Sequence, residues 1–161
     1  MKPVVLALVI VATGCTAFDT LSHAQERPPG DVARQEAADL ADIMSITQFR
    51  HLKLGYAGQV ANWPLARYEM TLMRQSFSIA VHAYPKVGRV DFAELVKSKS
   101  TPALDEIERT IAARNSQGFA LAFQKLTEAC NSCHRAAGFG FVVMRVPTLS
   151  PFSNQVFSPA N

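Results

Sequence analysis

The residues Cys130-Asn131-Ser132-Cys133-His134 constrain the fold and chemistry of this chain more than any other stretch. On a helix, positions three and four apart share a face, so both thiols and the imidazole point to the same side. Two thiols one turn apart can form thioethers with the vinyl groups on one porphyrin edge, and the adjacent histidine can bind the iron. This C-x-x-C-H spacing is typical of covalent haem attachment. It predicts Cys130 and Cys133 as thioether residues and His134 as the proximal iron ligand.

The same two cysteines could serve other chemistry, because zinc sites and dithiol redox sites also use the C-x-x-C spacing. The histidine directly after Cys133 favours haem over both alternatives. A structural zinc site would require a fourth ligand beside Cys130, Cys133 and His134, and the chain has no second cysteine pair. A zinc or dithiol protein without haem is therefore the alternative from a different class.

The first residues predict export from the cytoplasm. Residues 1–3 form a short basic segment, and residues 4–12 form an apolar segment that is too short to span a bilayer. Ser22-His23-Ala24 has the pattern of a signal-peptidase site, which gives an export signal over residues 1–24. The expected compartment is the periplasm of a bacterium.

A second processing route is equally compatible with the sequence. Ala12-Thr13-Gly14-Cys15 has the pattern of a lipobox, in which the signal covers residues 1–14 and Cys15 carries a lipid anchor. By either route, Cys130 and Cys133 are the cysteines left within the folded domain. A disulfide between them would close a very short loop and stabilise little, whereas two thioethers to haem account for both.

Composition and charge exclude several functional classes. The formal net charge is +3 and Lys and Arg do not form runs, so nucleic-acid binding is not expected. The sequence contains no glycine-rich phosphate loop, no paired catalytic carboxylates and no nucleophile–base constellation. We therefore predict no enzymatic activity.

Hydrophobic periodicity predicts an all-α protein, specifically an antiparallel four-helix bundle with covalent haem on the last helix. The predicted helices cover residues 32–56, 64–83, 102–113 and 119–137. They lie in a haem-binding domain of residues 31–138, which follows a polar linker at residues 25–30. Residues 139–161 contain three prolines and are predicted to form an extended apolar tail against the body.

Apolar stripes at steps of three and four residues indicate which helix faces are buried. In the first helix the stripe includes Met44, Thr47 and His51, and in the fourth it includes Cys130 and Cys133. The attachment motif is therefore expected on a buried face. The inward residues predicted for the second helix are Leu65, Tyr68, Leu72, Met73, Ser76, Ile79 and Ala80.

The segments between helices contain start and stop signals. Asn62-Trp63-Pro64 predicts a capped helix start, because proline in the first turn loses no hydrogen bond. Residues 86–100 are predicted to be a connection with one helical turn near residues 92–96. Gly55 and Gly58 are predicted to end the first helix.

The late position of the motif, on the last of four helices of an exported chain, resembles the cytochrome c′ and cytochrome c-556 group. Residues 51–58 and 62–69 are also similar to a set of bacterial c-type cytochrome-like proteins. Class I cytochromes c carry the motif near the N-terminus and fit less well. The resemblance covers residues 31–138 and implies haem inside the bundle, with His134 as proximal ligand. Members of the group end soon after the motif, whereas this chain continues for 27 residues beyond His134.

The residue on the other side of the iron determines the function. Methionine there gives a six-coordinate electron carrier with a raised potential, histidine gives a lower potential, and an apolar residue leaves a site for small gases. Met44 and His51 are seven residues apart and lie on one helical face. The resemblance favours Met44 as the distal ligand, because a first-helix methionine is the ligand in c-556-like proteins.

Other roles for these residues stay open. Met44 could simply fill the core, and His51 could be the distal ligand or a partner of a haem propionate. Arg50 is predicted to contact a propionate, because a guanidinium group pairs well with a carboxylate. Met73 is predicted to be a core residue, and Met144 in the tail is given little weight.

The leading prediction is an exported mono-haem c-type cytochrome that exchanges electrons with redox partner proteins. The alternative is a five-coordinate haem protein that binds NO or CO, since the same fold supports both. The resemblance also implies a homodimer formed through the first two helices.

Overall fold

The computed structural model of the chain describes residues 28–148 and 150–159. The export signal, the lipobox at Cys15 and residues 25–27 of the predicted linker lie outside these residues. Most of the described chain is helical, which confirms the all-α class. The long helices are α1 (Pro29–Gln59), α2 (Trp63–Ala83), α4 (Thr101–Ala112) and α5 (Ser116–Ala136), with a short α3 at Phe92–Leu95.

Helix α1 is longer than predicted at both ends. It begins at Pro29, so the last residues of the predicted linker are helical. Gly55 and Gly58 do not end the helix, as the sequence predicted, because they serve close packing instead. A Cβ atom on Gly58 would lie 1.9 Å from the Phe119 ring, and one on Gly55 would lie 2.7 Å from Pro147.

Helix α2 starts as predicted, and the predicted inward residues Met73, Ser76 and Ala80 are buried. Asn62 caps it, with the side-chain oxygen accepting the Leu65 N–H at 3.2 Å. The predicted inward residues Tyr68 and Ile79 are wrong, since they are 58% and 51% exposed. The buried residues are Ala66, Glu69, Met70, Met73, Ser76, Phe77 and Ala80. Glu69 is buried against α1, which a hydrophobic pattern does not indicate.

The connection predicted at residues 86–100 is mostly ordered secondary structure. Strands β1 (Lys86–Val87) and β2 (Val90–Asp91) form a hairpin whose two-residue loop has Gly88 at a φ of +59°. Glycine at the first loop position is a known hairpin signal, which the sequence interpretation missed. Asp91 then caps α3, and a π-helical turn at Val96–Ser100 leads directly into α4.

The long helices share one hydrophobic core. Helix α1 packs on α2 and α5, and α4 packs on the same two helices from the other side. Buried aromatic and aliphatic side chains from all four helices form a continuous core, including Leu54, Met73, Ile107, Phe119 and Phe123. This arrangement leaves the C-terminal end of α5 facing the first half of α1.

The described part of the tail has no helix or strand and packs across the body. Pro147 is buried, and its carbonyl accepts the Gln59 side-chain N–H at 2.9 Å. Farther along, the Phe157 carbonyl accepts the Asn62 amide at 2.9 Å, and the Phe157 ring packs 5.4 Å from the Tyr56 ring. The tail is therefore attached to α1 and to the start of α2.

Membrane-spanning potential is lacking in the helices that the structure describes. None of them combines sufficient length with sufficient apolar character to cross a bilayer.

Candidate functional site

A cavity of about 250 Å³ lies between α1 and α5 and contains most of the predicted site residues. Cys130, Cys133 and His134 line it from α5, and Met44 and His51 line it from α1. The other large side chains on its wall are apolar and are contributed by Leu40, Met73, Phe77, Phe92, Phe139, Val142 and Met144. Residues almost ninety positions apart in the sequence therefore share one apolar space, of the kind that binds small organic groups.

His134 is held by the segment that follows α5. Its Nδ1 lies 2.7 Å from the Val142 carbonyl oxygen. A carbonyl can only accept, so Nδ1 donates the hydrogen and Nε2 keeps a free lone pair. This is the tautomer that a metal-binding histidine needs, and a carbonyl partner of this kind fixes the ring orientation in metal sites.

The two cysteine thiols form no disulfide and lie one helical turn apart on the cavity wall, Cys133 buried and Cys130 half-buried. Cys133 Sγ lies 3.7 Å from the Leu95 carbonyl and 3.8 Å from Ser100 Oγ, both presented by the α3 and π-helical segment. Burial raises the pKa of Cys130 to about 12, and it also raises the pKa of Cys133. Both sulfurs are therefore protonated at neutral pH, and their own environment does not activate them as nucleophiles.

Met44 lines the α1 side of the cavity and is half-buried. Its thioether can serve as a soft metal ligand or pack against an apolar group. Its neighbours on the same wall, Ser45 and Gln48, are exposed polar residues at the cavity rim. The α1 wall thus changes from apolar inside to polar at its outer edge.

His51 is 2% exposed and its ring is already engaged by α5. The Thr127 hydroxyl donates to the Phe123 carbonyl at 2.9 Å, so its oxygen accepts the His51 Nε2–H, also at 2.9 Å. The ring packs against Phe123 with centroids 4.5 Å apart. Burial lowers the pKa of His51 to about 4, so the ring is neutral at physiological pH. To bind a metal, His51 would have to use Nδ1 or give up its bond to Thr127.

Arg50 is not brought to the cavity. Its guanidinium lies 3.3 Å from a Glu69 carboxylate oxygen, and the Glu69 side chain is only 2% exposed. The arginine therefore neutralises a buried acid on α2. Among the described residues that line the cavity, the polar groups suited to solvated carboxylates are Ser45 and Gln48 at the rim.

Two contributions to the cavity go beyond the site residues that the sequence predicted, since Met73 was expected to be core and Met144 was given little weight. Met73 and Met144 both line it, in addition to Met44. The tail segment also supplies Phe139 and Val142 to the wall and a hydrogen bond to His134. The tail was expected to lie against the body, but no helical periodicity relates this segment to the motif, so its contact with His134 could be found only from the folded chain.

In the part of the chain that the structure describes, no three His, Cys, Asp or Glu side chains converge as a metal-binding group. Cys130, Cys133 and His134 instead line the cavity one after another along α5.

Comparisons with known proteins returned no relatives of this chain. It matches no protein-family model, no curated protein and no solved structure.

Proposed function

We propose that this protein is an exported mono-haem c-type cytochrome of the periplasm that transfers electrons. The observation that carries the proposal is the common cavity of Cys130, Cys133 and His134, with the free lone pair of His134 on Nε2. The donor set fits haem c, because it offers two thiols for thioethers and one imidazole for the iron. The apolar wall suits a large, flat, mostly apolar group.

In this proposal the four helices form an antiparallel bundle that encloses the haem, with Cys130 and Cys133 as covalent anchors. The haem, when bound, supplies one-electron chemistry between ferrous and ferric iron. The chain holds the porphyrin rigid, orients the His134 ring through the Val142 carbonyl, and excludes water with the apolar wall. Ser45 and Gln48 at the rim are the groups that would contact the propionates, in place of Arg50.

Met44 is the distal ligand that we propose. It lines the cavity from the helix opposite the motif, and its thioether needs no proton loss to bind iron. His51 is less suited, because its Nε2–H is bonded to Thr127 and its ring is packed on Phe123. Methionine and histidine together give a six-coordinate iron with a raised potential.

The alternative function is binding of NO or CO at a five-coordinate iron. One observation favours it: apart from Met44, the residue on the α1 wall with a nitrogen or sulfur ligand for iron is His51, and its Nε2–H is bonded to Thr127. Export, a lipid anchor through Cys15, redox partner proteins and a homodimer through α1 and α2 belong to the proposal as well. None of them alters the roles of the cavity residues.

Absorbance spectra of the reduced protein, with and without CO, separate the two functions. The electron-transfer proposal predicts low-spin bands and no CO binding for the wild type, and CO binding for Met44→Ala. Met70→Ala is the matched control, because Met70 is buried on α2 but does not line the cavity. A wild-type protein that binds CO readily would contradict Met44 ligation and favour the gas-binding function. Loss of low-spin bands in His51→Ala alone would assign the ligand to His51.

A further inference from the structure

The segment of residues 139–147, here called the strap, leaves α5 directly after the motif and returns to it. The Phe139 N–H donates to the His134 carbonyl at 2.7 Å, and the Val142 N–H donates to the Phe139 carbonyl at 2.8 Å. These two bonds fold the strap into a tight turn. The turn brings the Val142 carbonyl back to the His134 ring.

The far side of this turn is held by Asn131, the residue between the first cysteine and Ser132 of the motif. Its side-chain nitrogen donates to the Met144 carbonyl at 3.0 Å, and its side-chain oxygen accepts the Met144 N–H at 2.7 Å. One amide side chain thus satisfies both backbone groups of a single strap residue. This pair of hydrogen bonds fixes both the position and the direction of the backbone at Met144.

Val142 lies between the two fixed points. Its N–H is bound within the turn on one side, and Met144 is clamped two residues later on the other. The strap then continues to Pro147, which is anchored on α1 through Gln59. The Val142 side chain itself is 41% exposed, so side-chain packing alone does not hold this residue in place.

From this geometry we infer that Asn131 is a positioning residue, which clamps the strap so that the Val142 carbonyl stays bonded to His134 Nδ1–H. The inference rests on the proposed function, because the purpose of the bond is to set the basicity of an iron-binding imidazole. A hydrogen bond from Nδ1–H to a carbonyl raises the electron density of the ring. A more basic ring stabilises ferric over ferrous iron, so the clamp lowers the reduction potential.

The test compares the full-length, haem-loaded protein with Asn131→Ala and Asn131→Leu. Leucine keeps the approximate size and neutrality of asparagine but cannot form either hydrogen bond. Both variants are expected to shift the ferrous-to-ferric ratio at a fixed ambient potential about tenfold toward ferrous, which is a rise of ~59 mV for a one-electron couple. Hydrogen exchange of the Met144 amide is expected to accelerate at least about tenfold, because its acceptor is lost.

Ser132→Ala is the matched control, since Ser132 is the other intervening residue of the motif and lines a separate polar groove beside Glu106 and Lys125. In Ser132→Ala, the ferrous-to-ferric ratio and the exchange rate of the Met144 amide are both expected to stay within about twofold of the wild type. Faster Met144 exchange without a change in potential would overturn the inference, and so would unchanged exchange. A wild-type protein without covalent haem would contradict the proposed function instead, while Met144 exchange would still report whether the clamp exists.

Discussion

The two histidines on the cavity wall are each fixed in one tautomer by a partner on or just after α5. His134 donates from Nδ1 to the Val142 carbonyl, and His51 donates from Nε2 to the Thr127 hydroxyl. The bond to Val142 leaves Nε2 of His134 free for a metal, whereas the bond to Thr127 occupies Nε2 of His51. Hydrogen-bond partners therefore divide the roles of two residues that the sequence offers as equivalent ligand types.

The buried position of His51 predicts a specific dependence of stability on pH. Its pKa is about 4 in the folded protein, against 6.5 for the free side chain. Between these pH values the unfolded state binds more protons than the folded state. The contribution of His51 to the free energy of unfolding therefore falls by roughly 3 kcal/mol as the pH drops from about 6.5 to about 4. Denaturant unfolding of the wild type and of His51→Gln at pH 7, 5.5 and 4 measures this loss.

His51→Gln should lack this component, because glutamine can still donate to Thr127 but does not titrate. His82→Gln is the control, because His82 is an exposed histidine on α2. This substitution should leave the pH dependence of the free energy of unfolding as it is in the wild type. If the free energy of unfolding depends on pH in the same way for the wild type and His51→Gln, then His51 is not a buried neutral group.

At the level of elements, α1 and α5 approach closely because glycine occupies the contact. The Gly58 position lies against the Phe119 ring with no room for a methyl group. Gly58→Ala is expected to lower the free energy of unfolding by about 1–3 kcal/mol through overpacking, despite the better helix propensity of alanine. Gly30→Ala in the first turn of α1 is the control, because no other group lies within 4 Å of its added Cβ. Equal effects of the two substitutions would contradict a tight contact at Gly58.

The attachment of the tail can be separated from helix capping. Asn62 caps α2 and also donates to the Phe157 carbonyl, whereas Asn115 caps α5 through Gly118. Replacing either cap by alanine should cost about 1 kcal/mol. Asn62→Ala should cost about 1 kcal/mol more than Asn115→Ala in chemical unfolding, because it also releases the tail. If Asn62→Ala costs no more than Asn115→Ala, the tail contributes nothing to stability through this contact.

Much of the element structure could be predicted from the sequence, for physical reasons. The Asn62 cap with Pro64 is a local signal, and the α4 residues Leu104, Ile107 and Ile111 are all buried as their spacing indicates. The predicted α2 stripe was right at Met73, Ser76 and Ala80 but did not include Glu69, which is buried in an ion pair with the distant residue Arg50. The tail was expected against the body, but the bonds of the strap to Asn131 and His134 could not be predicted, since they depend on how the chain turns after α5.

In the whole molecule, the cavity is lined by α1, α2, α3, the π-helical turn and α5 on one side and by the tail on the other. Met44 and Cys130 are far apart in sequence, and their common wall follows from the packing of α1 on α5. Helical periodicity indicated that both faces are buried, but it could not show that they enclose the same space. Met73 and Met144 also enter this space, from α2 and from the tail.

The proposed function depends on covalent attachment of haem to Cys130 and Cys133. The most direct measurement is the mass of the denatured protein after expression in a host that exports and matures c-type cytochromes, with an in-gel haem stain on the same sample. We expect a mass one haem above that of the processed chain and a stained band, both lost in the Cys130→Ala, Cys133→Ala double variant. An exported, folded wild-type protein with the mass of the bare processed chain and no stain would contradict it.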